Sequence, residues 1–348
     1  MALVGGLAAT LVAAGNPGNM GLCGACFLRD LAGAFGLHPG PAIVRPEVPG
    51  LVLGAFGWLC WRRRPVGRSG SYAASRFLLC VAMAIGALVF LGCPFRLLQR
   101  LGGGDLSAWA ALPGFVLGVG VARAFEASGY SLGKTQPVVA PVGWLGPLLA
   151  GPLLLAGWFA GLWLGPGPGD TGGPPHAVWW LSLGIALLAG ALLSATGFCA
   201  ISAARQVVSG PRWMLAAAVA MVLGYAAVAL ATGSFRFGET QQPIAHADWL
   251  ANTLALLLVG LCGALAGGCP VRQLVMAGEG NGDAFVGCAG LGLGAAMAHT
   301  LQLAAAPATE LARGGPSPRS LPIVLLLLAL VLAAAWWNAL AHRRAAAD

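Results

Sequence analysis

The sequence predicts an all-α integral membrane protein, a polytopic helical bundle of two inverted repeats with broken or re-entrant half-helices. Three observations predict it. Only 9% of the 348 residues are charged and 58% are hydrophobic, whereas soluble domains carry about a quarter charged residues. Apolar runs recur along the whole chain at the roughly 20-residue length that crosses a bilayer. A Gly-Cys-Pro-x-Arg motif occurs twice, and a second cysteine segment recurs in the same register.

Taken in order, the first apolar segment, 2–14, is too short to cross a ~30 Å hydrocarbon core and reads as half of a broken helix that resumes after Cys23. A span follows at 47–61. Further runs lie at 74–92, 108–125, 143–165, 176–197, 211–232, 249–267, 284–303 and 321–341. The run ending at Cys93 continues into a short segment, 94–101, and the turn Gly102-Gly103-Gly104-Asp105, which reads as a kinked or re-entrant arrangement with its tip near Cys93. The 54 glycines and 23 prolines suit close helix packing and interrupted spans, which membranes tolerate. The opening residues lack the basic region of a signal peptide, so Cys23 is expected in the mature chain.

The duplication is read from Gly92-Cys93-Pro94-Phe95-Arg96 and Gly268-Cys269-Pro270-Val271-Arg272, which share four of five residues at an offset of 176. The same offset carries Gly21, Cys23 and Arg29 onto Gly197, Cys199 and Arg205. Internal repeats are a common way to build transporters, and the halves are expected at 1–174 and 177–348. Charge then suggests inversion. Arg62-Arg63-Arg64, Arg68 and Arg76 follow the 47–61 span and mark a cytoplasmic loop. The corresponding loop, 233–248, offsets Arg236 with Glu239 and Asp248 and reads as outside. Linker 166–175 has no basic residue, while its counterpart carries His342, Arg343 and Arg344. Both termini are therefore expected in the cytoplasm. The formal charge of +8 lies in short inter-span clusters, a topology signal that gives no footprint for nucleic acid.

Cysteine and arginine carry the candidate chemistry. Proline suits the first turn of a helix, which makes Cys93 and Cys269 the N-caps of half-helices whose free N–H groups attract anions. Arg96 and Arg272 sit in those first turns, and Arg29 and Arg205 follow the other two cysteines. An arginine in mid-membrane costs roughly 2.5–3.5 kcal/mol on insertion scales, so the four are expected to line an anion pathway. Cys60, Cys80, Cys262 and Cys288 map onto non-cysteine positions and read as packing residues. Cys26 maps onto Ser202 and completes a Cys-x-x-Cys with Cys23, a redox or metal pattern, but without a second pair or histidines zinc is not expected. Gly133-Lys134-Thr135 lacks the upstream glycine and strand of a P-loop. Gly278 to Asp283 reads as a hairpin turn, with Asn281 a further ligand candidate. Tryptophans near span ends read as interfacial anchors.

The segment Asn16-Pro17-Gly18-Asn19-Met20-Gly21-Leu22-Cys23-Gly24-Ala25-Cys26-Phe27-Leu28-Arg29-Asp30, with Arg45-Pro46-Glu47 and both Gly-Cys-Pro-x-Arg motifs, resembles the YeeE/YedE sulfur-transport family. Of its branches, that of selenium transporters is the most similar, and the resemblance runs over nearly the whole chain. It implies an hourglass-like bundle that passes thiosulfate or a related selenium or sulfur oxyanion along central thiols by S–H hydrogen bonds. Carried over by motif, the relay uses Cys23, Cys93 and Cys269, with Cys199 as a repeat-related candidate and Asn19 among the contacts. The pair Cys23 and Cys26 is typical of the selenium-associated branch. The expectation is a multi-pass transporter of the bacterial inner membrane, without enzymatic activity or a cofactor, facing a TusA-like sulfur-carrier protein on the cytoplasmic side. The alternative is a membrane thiol redox protein or sulfurtransferase that holds the chalcogen covalently on Cys23 and Cys26.

Overall fold

The computed structural model describes residues 1–62, 66–159, 175–208, 210–240, 242–310 and 312–345. Arg63, Arg64, the linker at 166–174 and the end of the expected 143–165 span lie outside the described residues. Apart from a pair of two-residue strands, β1 (Arg68–Ser69) and β2 (Gln136–Pro137), the regular structure of the described residues is helical. The first half contains α1 (Ala2–Ala13), α2 (Gly24–Ala34), α3 (Glu47–Trp61), α4 (Ala73–Val89), α5 (Pro94–Gly102), α6 (Leu106–Ala127), the single turn α7 (Ala140–Gly143) and α8 (Leu145–Phe159). The second contains α9 (Trp179–Thr196), α10 (Ala200–Val208), α11 (Trp213–Ala231), α12 (Trp249–Leu265), α13 (Pro270–Gly278), α14 (Gly282–Thr300) and α15 (Ser320–Ala345). Among the described residues, six helical segments are long and apolar enough to cross a membrane, and the chain is an all-α polytopic membrane protein.

Two of those segments are the broken pairs α4–α5 and α12–α13, 78% and 83% buried, against 28% for the peripheral α11 and α15. The core of the bundle is thus the pair of interrupted helices that carry Cys93 and Cys269. Both breaks are made alike. Leu91 and Gly267 take left-handed φ of +60° and +82°, and the N–H of the next glycine reaches back to the carbonyl of Ala87 at 2.7 Å or Gly263 at 2.8 Å. This is the six-residue closure that ends many helices. Proline one residue after the cysteine then restarts the helix in a new direction.

Helices 176 positions apart have matching bounds: α4 with α12, α5 with α13, and the starts of α6 and α14. Their packing crosses between halves. α6 lies along α12, and α14 lies along α4. The contacts themselves fall on the offset. A Cβ on Gly114 or Gly118 of α6 would come within 2.2 and 2.1 Å of the Thr253 and Leu257 carbonyl oxygens. On Gly290 and Gly294 of α14 it would come within 2.5 and 2.4 Å of those of Phe77 and Val81. Each pair is a small-xxx-small seam that lets two backbones touch.

The loops divide between two ends. At one end, Arg68 pairs with Pro137 and bonds to Gly280, and the Asp283 carboxylate holds Ser69, Gly70 and Ser71. At the other, Gly238 pairs with Asp105, and His246 Nε2 bonds to the Val89 carbonyl. α4 starts at the first end and α12 at the second, so the two run in opposite directions, as do α6 and α14.

Candidate functional site

Four short helices begin beside one another at the centre of the bundle, and a cysteine precedes each: Cys23 before α2, Cys93 before α5, Cys199 before α10 and Cys269 before α13. The same capping geometry recurs at all four. Each cysteine carbonyl accepts from the N–H four residues on, at 3.2, 2.9, 3.0 and 2.9 Å for Phe27, Leu97, Ala203 and Gln273. The N–H of Cys26 points at Cys23 Sγ, 3.4 Å away, and the N–H groups of Ile201 and Ser202 point at the sulfur of Cys199. The backbone N–H groups of Gly24 and Arg96 lie near Cys93 Sγ.

The thiols lie close together. Cys23 Sγ lies 3.6 Å from Cys93 Sγ, Cys26 sits one turn from Cys23 with its N–H on that sulfur, and Cys199 and Cys269 are electrostatic neighbours. Gly24 brings the pairs together, since a Cβ there would come within 2.7 Å of the Pro270 carbonyl carbon and the Val271 nitrogen. All five cysteines are at most 5% exposed. What results is a closed cluster of soft, weakly donating S–H groups ringed by backbone N–H groups at helix N-termini, a surrounding that favours partial or full negative charge.

The arginines are placed differently from the expectation that they line an anion path beside these thiols. Arg205 is bound through both terminal nitrogens to Glu126 at the periphery. Arg272 makes two 2.9 Å bonds to Glu279, and Arg29 is paired with Asp30 at 2.5 Å. Mid-membrane cost explains these partners, because a buried guanidinium without a counter-charge would be expensive. Arg96 is the exception. It is fully buried and donates to the carbonyls of Asn19 at 2.9 Å, Gly18 and Pro243 at 3.1 Å, and Leu91. It therefore fastens the loop before Cys23 to the break before Cys93, and among the described residues no carboxylate forms an ion pair with it, close as it is to the thiols. Asn19, itself at φ +52°, accepts from the Tyr225 hydroxyl at 3.1 Å and shapes that loop. Asn281 is the N-cap of α14, accepting from Ala284 at 3.0 Å.

Two supporting groups escaped the sequence reading. Gln99 clamps both backbone groups of Leu22, next to Cys23. Arg100 is fully buried, 2.6 Å from Asp105 and bonded to the Phe90 carbonyl. Their signal was a pair of polar side chains on the short α5, one turn beyond Arg96. The remaining cysteines do not join the cluster in the same way: Cys60 is exposed, and Cys80 packs against the glycine seam of α14 near Gly287 and Gly290.

Residues 195–348 match the profile of a family described as sulphur transport. The matched stretch is less than half the chain and holds Cys199 and Cys269 but neither Cys23 nor Cys93. No curated protein matches the sequence.

Proposed function

We propose that this protein moves a small sulfur- or selenium-containing oxyanion, thiosulfate or a selenium analogue, across the bacterial inner membrane through the buried thiol cluster, without acting as an enzyme. The observation that carries the reading is the 3.6 Å approach of Cys23 Sγ to Cys93 Sγ between two capped helix starts. The sulphur-transport profile over the second half supports it. Thiols donate weakly, and a row of weak sites allows an ion to enter and to leave. Helix N-termini and the buried Arg96 offset part of the cost of bringing negative charge to mid-bilayer. In this reading the two halves are an inverted duplication, supported by opposed directions of α4 and α12, and the cluster sits where the two sets of half-helices meet. A TusA-like carrier on the cytoplasmic side would take up the delivered sulfur.

The test is uptake of labelled thiosulfate and of selenite into proteoliposomes holding the purified chain. Uptake by wild type and its loss in Cys93→Ala is the expected result; equal uptake by both would sink the relay. The second reading is favoured by the hydrogen bond from the Cys26 N–H to the Cys23 sulfur. There the Cys23 thiolate attacks the outer sulfur of thiosulfate, the S–S bond breaks, sulfite leaves with its electron pair, and a persulfide remains on Cys23. Mass spectrometry of the chain after exposure to thiosulfate separates the two: an added sulfur atom belongs to covalent handling alone.

A further inference from the structure

The two helix breaks are alike in sequence but are clamped differently. Phe90 and Ala266 stand 176 positions apart, each three residues before its Cys-Pro restart, and each gives its carbonyl to a buried arginine. At the first break the clamp is local. Arg100 Nη1 bonds to the Phe90 carbonyl at 2.8 Å, and Arg100 Nε lies 2.6 Å from Asp105, five residues on. Asp105 also takes the N–H and hydroxyl of Ser107, at 2.9 and 2.7 Å. Arg100, Asp105 and Ser107 are fully buried, and Arg96 adds a second guanidinium on the Leu91 carbonyl. This break faces the outer end, away from Arg62 and Arg68, by the positive-inside rule.

At the inner break the clamp reaches across the chain. Arg76 Nη1 bonds to the Ala266 carbonyl at 2.8 Å from 190 residues away. Its Nη2 donates to the Ser71 hydroxyl at 3.2 Å, and its Nε has no hydrogen-bond partner among the described residues. The carboxylate enters one step later. Asp283, in the first turn of α14, takes the Ser71 hydroxyl and N–H at 2.5 and 2.9 Å, the Ser69 hydroxyl at 2.7 Å and the Gly70 N–H at 3.3 Å. Ser69 and Ser71 are half-buried and Gly70 is exposed, so water competes for these bonds as it cannot for those of the buried Asp105. Arg272, the counterpart of Arg96, is turned to Glu279. The further hold on the Ala266 carbonyl is the neutral amide of Gln273, at 3.2 Å.

We infer that Arg76 and Asp283 are positioning residues that form a releasable latch on the cytoplasmic side of the thiol cluster. Release is a loop movement and breaks no helix. When residues 69–71 leave Asp283, Arg76 loses its Ser71 anchor, the α12–α13 break loosens, and Cys269 and Cys199 open to the cytoplasm. Segments held by few, water-accessible hydrogen bonds are the ones that open first. The outer clamp, dry and local, stays shut meanwhile, so the two sides of the cluster are not open together, as alternating exposure of a central site requires. The identity of the ion that leaves past the latch rests on the transport reading, but the exposure of the thiols does not.

Thiol labelling from the inner side tests this without any transported ion. Inside-out membrane vesicles holding the full chain are treated with a small, membrane-impermeant thiol reagent, and mass spectrometry of the digested chain follows modification of Cys269 and Cys199. Wild type is expected to react slowly. Asp283→Asn should raise the initial rate at Cys269 at least fivefold, and Ser71→Ala at least twofold. Ser107→Ala, which loosens the outer clamp, should leave that rate at the wild-type value, and right-side-out vesicles of the two inner variants should show no rise. If Asp283→Asn does not fold, Ser71→Ala, which removes a single hydroxyl, decides. Rates at Cys269 that stay at the wild-type value in the inner variants, or that rise as much in Ser107→Ala or from the outer side, would overturn the latch. A chain that fails to take up thiosulfate yet shows the inner-side rise would lose the transport reading and keep the latch.

Discussion

Cysteine is among the most buried residue types and usually behaves as a small hydrophobe, so burial says little about which of the nine thiols work. Position at a helix start separates them. Cys23, Cys93, Cys199 and Cys269 each stand immediately before a helix start, whereas Cys80 packs against a glycine seam. Cys93→Ala and Cys269→Ala are therefore expected to abolish uptake with the protein still folded in the membrane, while Cys80→Ala and Cys262→Ala transport nearly as wild type. Serine at Cys23 sharpens the contrast. A hydroxyl can still donate a hydrogen bond but cannot hold a persulfide, so Cys23→Ser is expected to keep roughly a tenth or more of wild-type uptake under a hydrogen-bond relay, and none under covalent handling. Asp30 is the other decisive residue, since its carboxylate counters both Arg29 and Arg45. Removing one member of a buried ion pair costs about 3–5 kcal/mol, and Asp30→Ala should show that loss as a lower melting temperature in detergent. Melting unchanged from wild type would mean the arginines find another partner.

The elements are positioned by glycine more than by large side chains. Lipid removes most of the hydrophobic drive between helices, and close backbone contact takes its place. The seams Gly114–Gly118 and Gly290–Gly294 hold α6 to α12 and α14 to α4, which are the helices that aim the two Gly-Cys-Pro breaks. Overfilling such a contact costs about 1–3 kcal/mol. Gly118→Val and Gly294→Val should each lower thermal stability, followed by size-exclusion chromatography after heating. Gly292 lies on the same helix as Gly294 but faces open space, and Gly292→Ala should melt with wild type. Equal effects at 292 and 294 would mean that the seam does not hold the helices.

At the scale of the whole molecule, the loop contacts divide the chain into two ends, and basic residues favour the one carrying Arg62, Arg68 and Arg76. Arg76 is more than a topology signal, because it is buried and bonds at 2.8 Å to the Ala266 carbonyl where α12 breaks. Both termini are expected at this end, in the cytoplasm. Reporter fusions check it: a fusion at residue 1 or 348 active only in the periplasm would reverse the assignment. A membrane-impermeant thiol reagent added to intact cells should label Phe237→Cys, on the outer loop, and leave Tyr72→Cys unlabelled.

How much of this was legible in advance depends on the range of the signal. Apolar length, the positive-inside bias and the Cys-Pro breaks act within one segment, and the helices at 47–61, 73–89, 106–127 and 249–265 were accordingly visible in the sequence, as was the all-α membrane class. The 176-residue register between Cys93 and Cys269 is likewise a property of the string, and it singled out the thiols that lie close together. Arginine partners were not legible. Asp30, Glu126 and Glu279 bind Arg29, Arg205 and Arg272 from one, 79 and seven residues away, and whether a guanidinium faces an anion path or a carboxylate depends on how helices rotate against each other. The same holds for Arg45 and His299, which line one cavity although they are 254 positions apart in the chain. Sequence fixes which groups must leave water; only the packed bundle decides which of their charges and hydrogen bonds remain unspent.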